Sequence, residues 1–152
     1  MLNPYYVTGF TEGEGSFYVS VSPRKLEKVQ WEIRPTFSIS QNKDNRGILY
    51  QIRDFFGCGS VRPSKRDNTY RYEVRALNDI SEKIIPHFKK YPLITEGKKN
   101  DFEALCRVVE IMLQKRHLTE EGLKDIFQIL LSARPESRRN YNIKELSRLM
   151  KV

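Results

Sequence analysis

Cysteine and histidine are scarce. Two cysteines, Cys58 and Cys106, stand far apart in 152 residues, no CxxC pair occurs, and His87 and His117 are the only histidines. Such a set makes neither a disulfide framework nor a structural zinc site, and both thiols read as reduced core residues of an intracellular protein. Long apolar runs are missing too. Nothing approaches the roughly 18 residues of a membrane span, and "MLNPYYV" has neither the basic n-region nor the apolar h-region of a signal peptide. No low-complexity tract marks a disordered tail. What is present is 39% hydrophobic and 30% charged residue, with eight Tyr and eight Phe, enough for one core in a single domain over 1–152.

Acid is the minority charge. Lys and Arg number 27 against 19 Asp and Glu, a formal net charge of +8. That balance favours a polyanionic partner, nucleic acid first. Residues 1–76 and 77–152 each carry +4, so a basic patch has to be assembled by folding.

Asn3 and Pro4 are a helix start signal, and the reading predicts a helix over 4–13 that stops at Gly13. Gly9 and Gly13, four apart, share a face that admits a second backbone. "GSFYVSVS" then alternates, with Phe17, Val19 and Val21 on one side and Ser16, Tyr18, Ser20 and Ser22 on the other. "WEIRPTFSISQ" puts Trp31, Ile33, Phe37 and Ile39 inward and Glu32, Arg34, Thr36, Ser38 and Ser40 outward, and Pro35 predicts an edge or a bulge. "NKDNRGILYQIRDFFGCG" reads as a helix ended by Gly57. "GSVRPSKRDNTYRYEVRA" reads as a hairpin with Arg71, Glu73 and Arg75 on its outer side. A helix bent near Pro86, a longer amphipathic helix, a helix capped by Thr119 and a last one with Asn142 and Glu145 in capping-box spacing complete the chain.

The order α-β-β-α-β-β-α, followed by more helix, predicts an α+β fold: an antiparallel sheet with helices on one face, sheet and helices over 15–115, and C-terminal helices over 119–152. The bare outer face carries Arg34, Arg71 and Arg75 and is flanked by the basic loops "PRKLEK" and "PSKRDN". A β-ribbon fits the DNA major groove, and Arg, Ser, Thr and Tyr contact base edges and phosphates.

Against this basic background stands "TEGEG" (Thr11 to Gly15). A carboxylate at Glu14, past the end of its helix, faces the negative end of the macrodipole, a penalty that a bound cation reverses. Mg²⁺ is held by one or two protein carboxylates with waters and phosphates. The string alone reads equally as an acidic, glycine-rich helix stop.

"VTGFTEGEGSF" (Val7 to Phe17) resembles the signature of the LAGLIDADG homing endonucleases, an apolar helix with two small residues four apart ending in acid–small–acid–Gly. "FSISQNKD" resembles the family's second strand and "HFKKYPLITEGKKNDF" its segment leading into the long helix. The resemblance implies an αββαββα core with a four-stranded antiparallel DNA-binding saddle and extra C-terminal helices. It puts Glu14 on the metal-binding catalytic acid, Gly13 on the residue whose backbone carbonyl helps coordinate, and Glu12 on an earlier, structural acid. It puts Gln41 at the strand end near the active site, and Lys98 or, one residue on, Lys99 on the active-site basic residue. One motif per chain implies a homodimer packed through Tyr6, Gly9, Phe10 and Gly13, and an approximately palindromic double-stranded DNA target. The cofactor it implies is Mg²⁺, with Mn²⁺ substituting and Ca²⁺ binding without cleavage. Candidate DNA contacts are Tyr18, Ser20, Ser22, Arg24, Arg34, Ser38, Ser40, Arg62, Lys65, Arg66, Arg71 and Arg75.

The function so implied is site-specific, metal-dependent double-strand DNA cleavage by an intron-encoded enzyme, with no membrane and no small-molecule substrate as partner. It would work with the host's DNA, in a bacterial or archaeal cytoplasm or an organelle. An RNA-splicing maturase or a non-cleaving DNA-binding protein on the same fold is the alternative. Two separated histidines do not make a histidine-metal nuclease, and no strand offers the acid and Glu-x-Lys of a PD-(D/E)xK core.

Overall fold

Asn3 opens the first helix as predicted. Its side chain accepts from Tyr5 N at 2.8 Å, Pro4 takes the first helical position, and α1 runs over Pro4–Glu14. The computed structural model describes residues 1–23 and 31–133. Arg24 with the rest of the "PRKLEK" loop beyond Pro23, and the Asn142/Glu145 capping box, lie outside the described residues.

The helix outlasts its expected stop. Glu14 is its last residue, and the Gly15 N–H closes it on Thr11 O. The stop glycine is therefore Gly15: a Cβ there would meet Thr11 Cγ2 at 2.6 Å and Thr11 O at 2.9 Å. The chain can swing from helix into strand over Thr11 only without a side chain at this point.

β1 (Gly15–Pro23) follows with no loop and pairs antiparallel with β2 (Trp31–Asn42). β3 (Ser60–Pro63) and β4 (Thr69–Val74) form the second hairpin, and the sheet order is β1-β2-β4-β3. The inward set is as expected, with Phe17, Val19, Ile33, Phe37, Ile39, Tyr72 and Val74 buried, but burial does not alternate along the middle of β2, where Thr36 and Ser38 of the outward set are buried as well. Pro35 fits because β4 stops pairing at Phe37↔Val74. Opposite Val19, β2 has a single neighbour, so it is locally an edge, and the register passes through without a bulge.

The described helices lie behind the inner face. A 3-10 turn (Lys43–Asn45) leads into α2 (Gly47–Phe56), which ends at Gly57 with φ 70°. α3 (Leu77–Asp79) passes through a π-turn (Ile80–Ile84) into α4 (Ile85–Lys90), and Pro86 falls in the first turn of α4, where its missing N–H is tolerated. α5 (Glu96–Leu113) crosses the sheet. α6 (Glu120–Ala133) follows, and Thr119 Oγ1 accepts from Gly122 N at 3.0 Å as its cap. One core joins α1, α2, α4 and the Phe102, Leu105 and Val109 face of α5 to the sheet around stacked Phe17 and Phe37, with Phe88 and Phe102 edge-on. A second joins Val19 and Ile33 to Val108, Leu123, Ile126 and Phe127. Each fully buried side chain of this kind contributes about 1.5–3 kcal/mol, which holds the helices to one side.

One buried polar contact ties α1 to this body. Thr8 Oγ1 donates to Tyr91 O at 2.8 Å, which leaves the His87 Nε2–H to donate to Thr8 Oγ1 at 3.1 Å. The His87 ring is walled by Phe55, Phe56 and Phe88, and burial pushes its pKa down to about 4. The folded state therefore binds a proton less readily than the unfolded chain. The stability that the neutral ring contributes is complete above pH 6.5 and is lost as pH falls from there toward 4. The loss is on the order of 3 kcal/mol. Chemical denaturation of wild type and His87→Gln between pH 7.5 and 4.5 should show a steeper decline for wild type; parallel curves would exclude His87 as the source.

Candidate active site and nucleic-acid face

The two acids of the motif go separate ways. Glu12 reaches across to the N-terminus of α5: its carboxylate accepts from Ile94 N, from Thr95 Oγ1 and, at 3.2 Å, from Thr95 N. Burial raises its pKa, but the hydrogen bonds from Thr95 and Ile94 and the nearby Lys98 outweigh that, so the net shift is downward. A carboxylate on unpaired N–H groups at a helix start is favoured by the macrodipole as well as by the hydrogen bonds. Thr95, its partner, is legible in the sequence only as the N-cap position before Glu96.

Glu14, two residues on, is exposed, and no other described residue bonds to it. Gly13 beside it is among the last helical residues, whose carbonyls have no intrahelical acceptor role left to fill. Lys98 is half-buried, and its Nζ donates to Gly15 O at the start of β1; Lys99 is exposed. The helix spacing thus turns Lys98, of the two candidates, toward the acid junction. Gln41 lies two residues past Ile39, the partner of Gly15, so it extends β2 beyond the end of β1, and its Oε1 accepts from Asn42 N at 3.0 Å. The donor set is one carboxylate and backbone carbonyls, hard oxygens suited to Mg²⁺. Among the described residues no three His, Cys, Asp or Glu come together to hold a metal ion.

The motif helix has a bare side. Tyr6 and Gly9 are exposed and Phe10 partly so, Tyr6 stacks on Phe10 with ring centroids 6.0 Å apart, and a Cβ added at Gly9 or Gly13 would meet nothing within 4 Å. The glycines are not needed by the fold of the single chain.

The outer sheet face is basic but guarded. Ser20, Ser22, Arg34, Arg62 and Arg71 are exposed, Tyr18 and Ser40 half-buried, and Lys65 and Arg66 stand exposed on the β3–β4 turn. Arg75 follows β4 on the same side. Ser38 points outward from the central part of β2, between β1 and β4, and is only 5% exposed. Arg34 is held by Glu32, and Arg71 and Arg75 by Glu73.

An antiparallel sheet with a basic outer face, the described helices behind it, and an acid-ended motif helix leading straight into its first strand define an α+β protein of the αββαββα class. The chain belongs to the LAGLIDADG endonuclease family, whose model matches residues 7–109. The chain is 35% identical to "Probable intron-encoded endonuclease 2" of Neurospora crassa over 84% of its own length but 28% of the relative's, so it spans little more than a quarter of that protein. Its fold is similar to that of a homing endonuclease, I-TnaI, with a TM-score of 0.89, 35% identity and 98% of each chain covered. It is also similar to I-SmaMI bound to an uncleaved DNA target in the presence of calcium ions, with a TM-score of 0.81 and 31% identity over 84% of this chain and 43% of that one. No helix of the described residues is long and apolar enough to cross a membrane.

Proposed function

We propose that the protein is an intron-encoded, site-specific DNA endonuclease that cuts both strands as a homodimer. The observation that carries this is the juxtaposition of an exposed acid, Glu14, to which no other described residue bonds, with a bare Gly9/Gly13 helix face at the end of a basic sheet. Two copies packed through Tyr6, Gly9, Phe10 and Gly13 would bring two Glu14 carboxylates together and set the sheets end to end along one duplex, each over the major groove of a half-site.

Glu14 and the Gly13 carbonyl of both copies would hold Mg²⁺. When bound, the cation would supply Lewis-acid polarisation of the scissile phosphate and of the attacking water. Lys98 is charged and held beside the junction by Gly15 O, so it is suited to stabilising charge that builds on the phosphate. Gln41 offers an amide to orient water at the strand end. Arg62, Lys65 and Arg66 supply phosphate contacts, while Tyr18, Ser20, Ser22, Arg34, Ser40, Arg71 and Arg75 face the groove.

The test is incubation of the protein with a pool of partly palindromic duplexes in Mg²⁺, in Ca²⁺ and without divalent metal. Cleavage in Mg²⁺ alone is expected, with both strands cut. Binding measured without metal should weaken by about 10³–10⁵ between 50 and 200 mM salt if six to ten phosphates are contacted. Binding without cutting in any metal would move the reading to a maturase or a non-cleaving binder, and a monomer on DNA by sedimentation would sink the shared site.

A further inference from the structure

The outer face of the sheet is not uniformly basic at its centre. Arg62 on β3 lies directly opposite Arg71 on β4, and Arg75 stands two residues beyond Glu73 on the same side. Like charges placed directly across a strand pair repel. Glu73 sits among them, opposite Ser38 on one neighbour and Ser60 on the other, and it accepts from Arg75 Nε at 3.0 Å and from Arg71 Nη1 at 3.4 Å. Arg71 is also aimed at Ser40 Oγ, at 3.4 Å, and its side chain and that of Arg75 remain about half exposed while Glu73 is 20% exposed. An exposed ion pair stabilises a fold by less than about 1 kcal/mol, so the arrangement does little for folding. For a surface that is to lie on a polyanion, an acid at its centre has a direct electrostatic consequence.

We propose that Glu73 is a specificity-determining residue of this face: it holds Arg71 and Arg75 side by side, repels phosphate, and accepts from an amine-bearing base edge in the major groove. Cytosine N4 and adenine N6 are the amines exposed there, while the two arginines suit the acceptors of guanine. A phosphate set against the centre of the sheet would meet the Glu73 carboxylate, so duplexes in the wrong register are penalised. The inference rests on the DNA-binding reading above and adds to it an acid that discriminates rather than binds.

The experiment uses the full chain without divalent metal. Wild type first enriches a target from a random-sequence pool, and binding to that target and to a scrambled duplex of equal length is then measured against salt for wild type, Glu73→Gln and Glu73→Asp. Glu73→Gln is expected to bind the scrambled duplex about tenfold tighter and to lose at least about tenfold in target-to-scrambled ratio. Its selected sequences should relax at one position of each half-site. Glu73→Asp, which keeps the charge, should keep scrambled binding weak, and the thermal midpoint of all three proteins should agree. An unchanged ratio in Glu73→Gln, or an equal loss of affinity for both duplexes, would overturn the proposal. A wild type that enriches no sequence would overturn the DNA reading itself.

Discussion

Glu14→Gln is expected to remove at least about 10³-fold of the strand-cleavage rate while leaving folding and DNA binding in place. Gln keeps the shape of Glu but not its charge, and a neutral amide is a poor ligand for a hard divalent cation. Glu14 is exposed and makes no bond to another described residue, so its replacement disturbs no packing. Glu12→Gln should behave in the opposite way. That carboxylate ties α1 to the start of α5 through Ile94 and Thr95. Loss of its charge there should lower stability by about 1 kcal/mol and leave cleavage near wild type at a temperature where the variant is folded. Single-turnover cleavage beside urea denaturation of both variants would separate the roles. A Glu14→Gln protein that still cuts, or a Glu12→Gln protein as inactive as Glu14→Gln at full folding, would refute the division of labour.

Widening the bare face of α1 gives the second large effect. In a single chain a Cβ at Gly9 or Gly13 meets open space, and both positions are helical. Gly→Ala in a helix stabilises by roughly 0.5–1 kcal/mol. The double variant Gly9→Ala/Gly13→Ala should therefore unfold at a higher temperature as an isolated chain. A second α1 packed at this face would find the added methyls where its backbone has to approach, so the same variant should be a monomer in sedimentation and should not cut. Gly9→Leu should do so even more completely. A rise in stability joined to loss of assembly is hard to produce by misfolding. A Gly9→Ala/Gly13→Ala protein that remained a dimer and cut at the wild-type rate would mean that the copies meet elsewhere.

The polar-out, apolar-in character of each strand, the N-cap at Asn3, the stop at Gly57 and the cap at Thr119 were all legible in the chain. Each depends on a residue's own chemistry or on partners within four positions. The family resemblance was equally local, since it rests on the string from Val7 to Phe17. The extent of α1 was not legible. "GEG" offers two glycines, and only the approach of Gly15 to Thr11 in three dimensions selects the one that turns the chain. The low exposure of Ser38 was not legible either. Alternation assigns it to the outer face correctly, but whether an outward residue is reachable depends on what the neighbouring strands place over it.

By itself the sequence determined that two acids stand at a helix-to-strand junction, that the strands have a polar face rich in arginine, and that the motif helix carries glycines on one side. Periodicity and capping are short-range effects, and they survive in a linear reading. Only the tertiary structure decided that Glu12 bonds to Thr95, 83 residues away, that Lys98 rather than Lys99 turns to Gly15, that His87 lies buried against Thr8, and that Glu73 holds Arg71 and Arg75 amid the basic face. These contacts join segments that meet only after the helices have packed onto the sheet, so their geometry follows from the burial of the two cores and from no local preference of the chain.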